Sequence, residues 1–353
     1  MSERGIVIGG VRIEPGGRQT VHLPVADLYT RNPVTMPVHV VRGRRAGPTL
    51  FVSAAVHGDE LNGIEIIRRL LTRPRLQQLR GTLLAVPMVN VLGVLHQSRY
   101  LPDRRDLNRS FPGSERGSLA ARLANLLIRE VVSKSTHGID LHTAAVHRTN
   151  LPQIRCQLED EETARLAMSF GAPVVLGADL RDGSLRATAS EHGVKSLLYE
   201  AGEALRFDET AIRAGVRGIL NVMREIDMLP QGRRRRPAPS VQVTESVWVR
   251  AAGSGLLRYA VPIGASVRKG QQLARVADPF GEAEQSVEAP FEGIVIGRTE
   301  LPLVHEGDAL FHVGKYHRLA QARARVDEFT SRWSPENDGS ASGGQAPPPP
   351  AEQ

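Results

Sequence analysis

Along the first two thirds of the chain, compact apolar runs take turns with stretches whose apolar residues recur at helical spacing. Thr49 to Val56 is one such run and ends at His57; from Asn62 onward Ile64, Ile67, Leu70 and Leu71 mark the face of a helix. The unit recurs. Thr82 to Val89 predicts a buried strand, Leu119 to Val132 a helix, Gly138 to Leu141 a short strand, Glu161 to Phe170 a helix, Ser196 to Tyr199 a strand and Asp208 to Met228 a closing helix. Strands alternating with helices predict an α/β fold, a largely parallel or mixed sheet with helices on both faces. Before it, from Met1 to about Arg45, short apolar segments broken by Gly and Pro, such as Val38 to Val41, predict edge strands leading into the first core.

The texture changes after the last helix. Pro230 to Ser240 is rich in Pro and Arg, the composition of a linker, and Val241 to Val313 shows short strands punctuated by Gly and Pro with no helical pattern. A small all-β domain is expected there. Its two halves echo each other, Gly255-Leu256-Leu257 with Gly264 and Val267 to Gly270, then Gly293-Ile294-Val295 with Glu306-Gly307-Asp308, which suggests a barrel-sandwich of interlocked hairpins. That region resembles the biotinyl/lipoyl hammerhead fold, but Asp278-Pro279-Phe280-Gly281 stands where a carrier would present its modified lysine, so no swinging-arm carrier is expected. The expected organisation is an α/β domain over 1–230, a linker over 231–240, the β domain over 241–317, a helix over 318–333 and a disordered tail over 334–353.

Composition narrows the function classes. The 353 residues suit one large and one small core, and 41% hydrophobic residues are enough to fill them. The net charge of +7 raises the question of nucleic acid, yet the basic residues are scattered or gathered in Arg233 to Arg236, and aromatics are only 4%; no nucleic-acid partner is expected. A single cysteine, Cys156, excludes an intramolecular disulfide and a four-thiolate metal site. Nothing reads as a secretory leader or a membrane span, so the expectation is a cytoplasmic protein with no membrane partner; its oligomeric state, a homo-oligomer included, stays open.

Four polar clusters fall at or just beyond the carboxyl ends of expected strands, or in the loops between them, the edge where open α/β sheets form ligand crevices. The first is His57-Gly58-Asp59-Glu60. The second is Arg99-Tyr100 followed by Asp106-Leu107-Asn108-Arg109-Ser110-Phe111-Pro112-Gly113. The third is Asp140-Leu141-His142-Thr143, and the fourth, Leu197 to Gly202, delivers Glu200 from an apolar strand. Two His and one Glu are a common ligand set for catalytic zinc, with a fourth position left to water, which makes His57, Glu60 and His142 the candidate metal ligands for one Zn²⁺ per chain. Asp140, on the same strand face as His142, is placed to orient its imidazole. A forked guanidinium is the usual partner of a substrate carboxylate, and an adjacent amide can fix its register, which makes the second cluster a candidate site for a substrate carboxylate. Glu200 beside a metal-activated water would serve as general base, its alternative being a helix N-terminal acid. His147 and Arg148, just past the third cluster, are left unassigned.

Taken together, His57-Gly-Asp-Glu60, Arg99-Tyr, Asp-Leu-Asn108-Arg109, Asp-Leu-His142 and Glu200-Ala-Gly resemble the aspartoacylase/succinylglutamate desuccinylase family, relatives of the zinc carboxypeptidases, over about Val38 to Val313. The resemblance implies a zinc carboxypeptidase-like fold with zinc on His57, Glu60 and His142, and Glu200 as general base. By the same resemblance Arg99 stabilises the tetrahedral oxyanion, Asn108 and Arg109 bind a substrate carboxylate, and the β domain narrows access so that small N-acyl amino acids or related amides are the substrates. Two departures stand out: Pro102 to Arg105 lengthens the loop after Arg99, and the arginine that aspartoacylases place before the catalytic Glu to hold aspartate falls near Ser190 here. Acetylaspartate is therefore not the expected substrate, and the chain looks closer to bacterial deacylases of N-acylated diamino acids. A carboxypeptidase acting on peptides, and a binding protein that kept the fold without its chemistry, are the alternatives.

Overall fold

The computed structural model describes residues 5–231, 240–316, 324–329 and 331. It opens on a hairpin, β1 (Ile6–Ile8) and β2 (Val11–Ile13), and two ten-residue antiparallel strands, β3 (Arg18–Asp27) and β4 (Pro33–Arg42). The expected edge segments are thus long strands, and Val21, Leu23 and Val25 are buried between exposed neighbours, the period of a half-buried strand. The alternating body follows as β5 (Arg45–Ala54), α1 (Asn62–Leu71), β6 (Arg80–Val86), α2 (Val91–Leu95), α3 (Leu119–Glu130) and β7 (His137–His142). It continues through β8 (Arg148–Cys156), α4 (Glu161–Phe170), β9 (Val174–Gly177), α5 (Leu185–Glu191), β10 (Lys195–Gly202) and α6 (Glu209–Glu225). Ser118, Asp160, Ser184 and Asp208 cap α3, α4, α5 and α6, each side chain accepting from a backbone N–H three residues on.

The all-β region comprises β11 (Val241–Val243), β12 (Glu245–Arg250), β13 (Gly255–Tyr259), β14 (Ser266–Val267), β15 (Gln272–Ala277), β16 (Glu284–Glu288), β17 (Gly293–Thr299), β18 (Leu303–Val304) and β19 (Ala309–Lys315). A single mixed sheet runs β12-β19-β17-β8-β10-β7-β5-β6-β4-β3. Its centre, β10-β7-β5-β6, is parallel and both flanks are antiparallel. The C-terminal strands therefore extend the central sheet directly: Gly297 pairs with Asn150 and Thr299 with Arg148. A second sheet, β16-β15-β13-β18, closes the β region over its own core of Leu257, Leu273, Val295, Leu310 and Phe311.

Strand alternation sorts the rest of the interior into two layers. Leu50, Val52 and Ala54 of β5 and Leu83 and Ala85 of β6 face α1, α4 and α6, whereas Phe51, Leu84 and Val86 face α3 and α5. Burying both faces of the central strands excludes water from their backbone and leaves the carboxyl edge as the opening. Neither β8, β9 nor α5 was expected. The first carries Arg148, Thr149, Asn150, Gln153 and Arg155, a polar set that hides a central strand from any hydrophobic period. Most of the expected linker and all of the tail over 334–353 lie outside the described residues, as does most of the helix expected over 318–333, of which residues 324–329 are helical. Among the described residues no helix is long and apolar enough to cross a membrane.

Candidate active site

The register of three neighbouring parallel strands assembles the site. On β5, β7 and β10 it sets Ser53 beside Asp140, and Glu200 beside His142, at one sheet edge. His57 and Glu60 enter from the turn between β5 and α1. Gly58 is required there for close approach, since a Cβ would lie 2.0 Å from the backbone carbonyl carbon of Gly93 in α2. Asn62 then ties the turn down, donating from Nδ2 to the Ala201 carbonyl (3.2 Å) and accepting from the Asp208 N–H (2.9 Å).

Glu60 lies between the two imidazoles. Its Oε1 is 2.7 Å from His57 Nδ1, its Oε2 is 2.7 Å from His142 Nδ1, and the Thr143 N–H donates to Oε2 at 3.1 Å. Each outer imidazole nitrogen meets a second carboxylate: His57 Nε2 stands 3.1 Å from Asp106 Oδ1, and His142 Nε2 2.7 Å from Asp140 Oδ2. Ser53 Oγ donates to the other Asp140 oxygen at 2.7 Å. A carboxylate on Nε2 fixes the ring's tautomer and turns Nδ1 toward the centre as a donor atom. The three candidate ligands are buried, one donor atom from each lies within 4.8 Å of the others, and together they could hold a metal ion.

On His57, Glu60, His142 and Asp106 burial opposes charge, and mutual attraction overrides it. It works against ionised Glu60, but the facing imidazoles pull that carboxyl well below the ordinary range. Likewise His142 is desolvated yet held well above the usual imidazole value by Asp140 and Glu60, and His57 is raised by Glu60 and Asp106. Asp106 is lowered despite burial, by His57 and by Arg99, whose Nη2 donates to its Oδ2 at 3.0 Å.

Around this cluster a cavity of about 730 Å³ is lined by all eight residues singled out in the sequence. Arg99 reaches Glu60 Oε1 at 3.4 Å. Asn108 accepts from the Leu185 N–H at 2.9 Å through Oδ1, and Arg109 is exposed, with Nη1 on the Asn108 carbonyl at 2.6 Å. Glu200 Oε2 pairs with Arg155 Nη2 at 2.7 Å and accepts from Asn150 Nδ2 at 2.9 Å, both from the unexpected strand β8. The C-terminal region supplies a wall: Trp248 of β12 stacks on His312 of β19, with ring centroids 4.8 Å apart, and the Arg148 guanidinium lies 5.1 Å from the Trp248 ring centre. His147 is outside the lining and Arg148 within it. Sequence reasoning missed the parts played by Asp106, Ser53, Asn150, Arg155 and Trp248. Asp106 alone offered a signal, its place two residues before Asn108.

An open mixed sheet whose carboxyl edge gathers two imidazoles, a carboxylate between them and a separate glutamate over a polar cavity is the architecture of a hydrolytic α/β enzyme. Residues 46–226 match the model of the succinylglutamate desuccinylase/aspartoacylase catalytic domain. The chain is 30% identical over 302 residues to the N-alpha-acetyl-L-2,4-diaminobutyric acid deacetylase of Halomonas elongata, covering 82% of this chain and 88% of that protein. Among solved structures, a succinylglutamate desuccinylase/aspartoacylase from Rhodobacter sphaeroides superposes with a TM-score of 0.77 at 26% identity, over 90% of this chain and 100% of that one. The product-bound ectoine utilization protein EutE (DoeB) from Ruegeria pomeroyi shares the fold, with a TM-score of 0.78 at 24% identity over 89% of this chain and 99% of its own. The chain belongs to the succinylglutamate desuccinylase/aspartoacylase family, hydrolases that act on the amide bonds of acylated amino acids.

Proposed function

We propose that this protein is a zinc-dependent deacylase of N-acylated amino acids, with His57, Glu60 and His142 holding one ion per chain. The observation that carries the reading is the convergence of those three donors, two of them braced by Asp106 and Asp140, on a cavity that also contains Glu200. Zinc held there supplies a Lewis acid that polarises the scissile carbonyl and eases deprotonation of water. Glu200 takes the proton from the attacking water and returns it to the leaving nitrogen; Arg155 and Asn150, both on Oε2, hold its carboxylate in place for that transfer. Arg99, beside Glu60, faces the developing oxyanion, and Asn108 and Arg109 receive the substrate carboxylate as a forked pair of donors.

The cavity volume of about 730 Å³ falls within the range of small-molecule pockets, and the wall from β12 and β19 limits how far a peptide could extend, which favours a small amide over a polypeptide substrate. The deacetylase from Halomonas elongata acts on an N-acetylated diamino acid, and what that lends here is the reaction class, N-acyl amino-acid hydrolysis. A cytoplasmic location and a small-molecule partner belong to the same proposal. The test is hydrolysis of a panel of N-acyl amino acids before and after chelation: activity present as purified, lost with chelator and restored by zinc is expected. Hydrolysis that persists in metal-free protein, or none on any panel member with zinc present, contradicts it.

A further inference from the structure

We infer that the C-terminal β region positions the general base: Gly297 of β17 is a positioning residue that acts through Asn150, its lack of a side chain keeping the Asn150 amide on Glu200. The inference rests on the deacylase reading, in which Glu200 moves the proton, and gives the β region a part in the chemistry besides walling the cavity. A single row of paired residues crosses four strands, from Trp248 of β12 through His312 of β19 and Gly297 of β17 to Asn150 of β8. Asn150 pairs next with Gly202 of β10, two residues past Glu200, and there the ladder shifts: Leu151 and Pro152 of β8 stand opposite Ala201 alone. A bulge of this kind re-aims the side chains beside it. Asn150 Nδ2 reaches back to Glu200 Oε2 at 2.9 Å.

The space at Gly297 permits that reach. A Cβ there would lie 2.6 Å from Asn150 Oδ1, closer than real Cβ contacts come, and 3.4 Å from both the His312 Cβ and the Thr149 carbonyl oxygen. The last two are held in place. Thr149 pairs with Arg298 in the ladder, and the buried His312 is stacked on Trp248 with its Nε2 2.9 Å from Ser246 Oγ. Asn150 is therefore the group that moves, and its amide spans the two sites, with Oδ1 toward Gly297 and Nδ2 on Glu200. Close packing transmits the displacement, so a side chain at position 297 reaches the base by pushing the far end of that amide. Arg155 Nη2 shares Oε2 with Asn150, at 2.7 Å, and among the described residues no donor meets Oε1. With both bonds on Oε2, Oε1 is left for the water. Once Asn150 is displaced, Arg155 alone pins the carboxylate, which can swing about that one contact, and the loss falls on proton transfer more than on substrate binding.

A double-mutant cycle on the zinc-loaded full chain tests this, with the N-acetyl-L-amino acid of the panel that is hydrolysed fastest as substrate. Gly297→Ala lowers kcat by about tenfold with KM within about twofold of the parent, and Asn150→Ala lowers kcat by a similar factor. In the Asn150→Ala background Gly297→Ala changes kcat by less than about twofold, whereas an alanine that merely loosened the β region would act equally in both backgrounds. Two readouts need no turnover. Gly297→Ala lowers the melting temperature of the parent and spares that of the Asn150→Ala protein, and crystals of the Gly297→Ala protein have Asn150 Nδ2 beyond hydrogen-bond reach of Glu200. Should Gly297→Ala fail to fold, the double variant, which lacks the clash, folds; a double variant that also fails to fold overturns the inference. Additive losses of kcat, a loss confined to KM, or an Asn150–Glu200 bond intact in the Gly297→Ala protein overturns it as well. If no panel member is hydrolysed, the deacylase reading fails, while melting and the crystals still decide whether Gly297 keeps Asn150 on Glu200.

Discussion

Glu200→Gln leaves the fold and the metal content intact and lowers kcat on the preferred N-acyl substrate by about 10²–10⁴-fold. The substitution keeps the side chain's shape and an oxygen for Arg155 and Asn150 to donate to, and removes the negative charge and with it the capacity to accept a proton. Glu200 pairs in register with His142 at the end of adjacent strands, and the two other cavity carboxylates in contact with His142 are already engaged. Asp140 is occupied by Ser53 and His142, and Glu60 by both imidazoles. Steady-state kinetics with metal quantification on the same preparation decides the matter. A loss confined to KM, or a kcat within about tenfold of the parent, would remove Glu200 from the chemistry.

Glu60→Gln has the second large effect, on metal and stability together. The variant binds less than about a tenth of the parent's metal, because the set drops from three strong donors to two imidazoles and a weak amide. In the metal-free protein it also costs about 3–5 kcal/mol, since a buried carboxylate flanked by two charged imidazoles is lost while the imidazoles stay. The pH dependence follows from the directions of the shifts. Folding raises both imidazole pKa values, so their contribution is complete below the ordinary value of 6.5 and is lost as pH rises through the raised ones. Folding lowers that of Glu60, so its contribution is present above the ordinary 4.5 and is lost as pH falls through the depressed value. The destabilisation by Glu60→Gln is accordingly largest in mildly acidic solution, as thermal melting of chelator-treated parent and variant across pH will show. Equal melting of the two at every pH would contradict it.

How far the sequence reaches depends on whether information is local. The β5–α1 and β7 units were legible because one apolar run and one helical face lie next to each other, and the polar residues that interrupt them, His57, Glu60 and His142, stand at strand ends. Strand β8 was not. Its side chains serve the cavity, with Asn150 and Arg155 turned to Glu200, so its pattern reports function in place of burial. The junction of the two regions was equally hidden, since the pairing of Gly297 with Asn150 spans much of the chain and leaves no periodic trace. Asp106 shows the same limit within the site: its neighbours in sequence suggested a substrate loop, while its bond to His57, 49 residues away, makes it a brace for a candidate ligand. The change of texture after α6 was read correctly as all-β, and the family resemblance implied that this region narrows the site; that Trp248 and His312 form the wall is seen only in the structure.

The proposed chemistry requires that two imidazoles and one carboxylate share a cation. Crystals of the zinc-loaded protein, measured on both sides of the zinc absorption edge, test it without reference to any substrate. One anomalous peak per chain is expected, bounded by His57 Nδ1, the Glu60 carboxylate and His142 Nδ1. Anomalous signal elsewhere with none at this point, or side chains at the three positions turned away from a common centre, would contradict it.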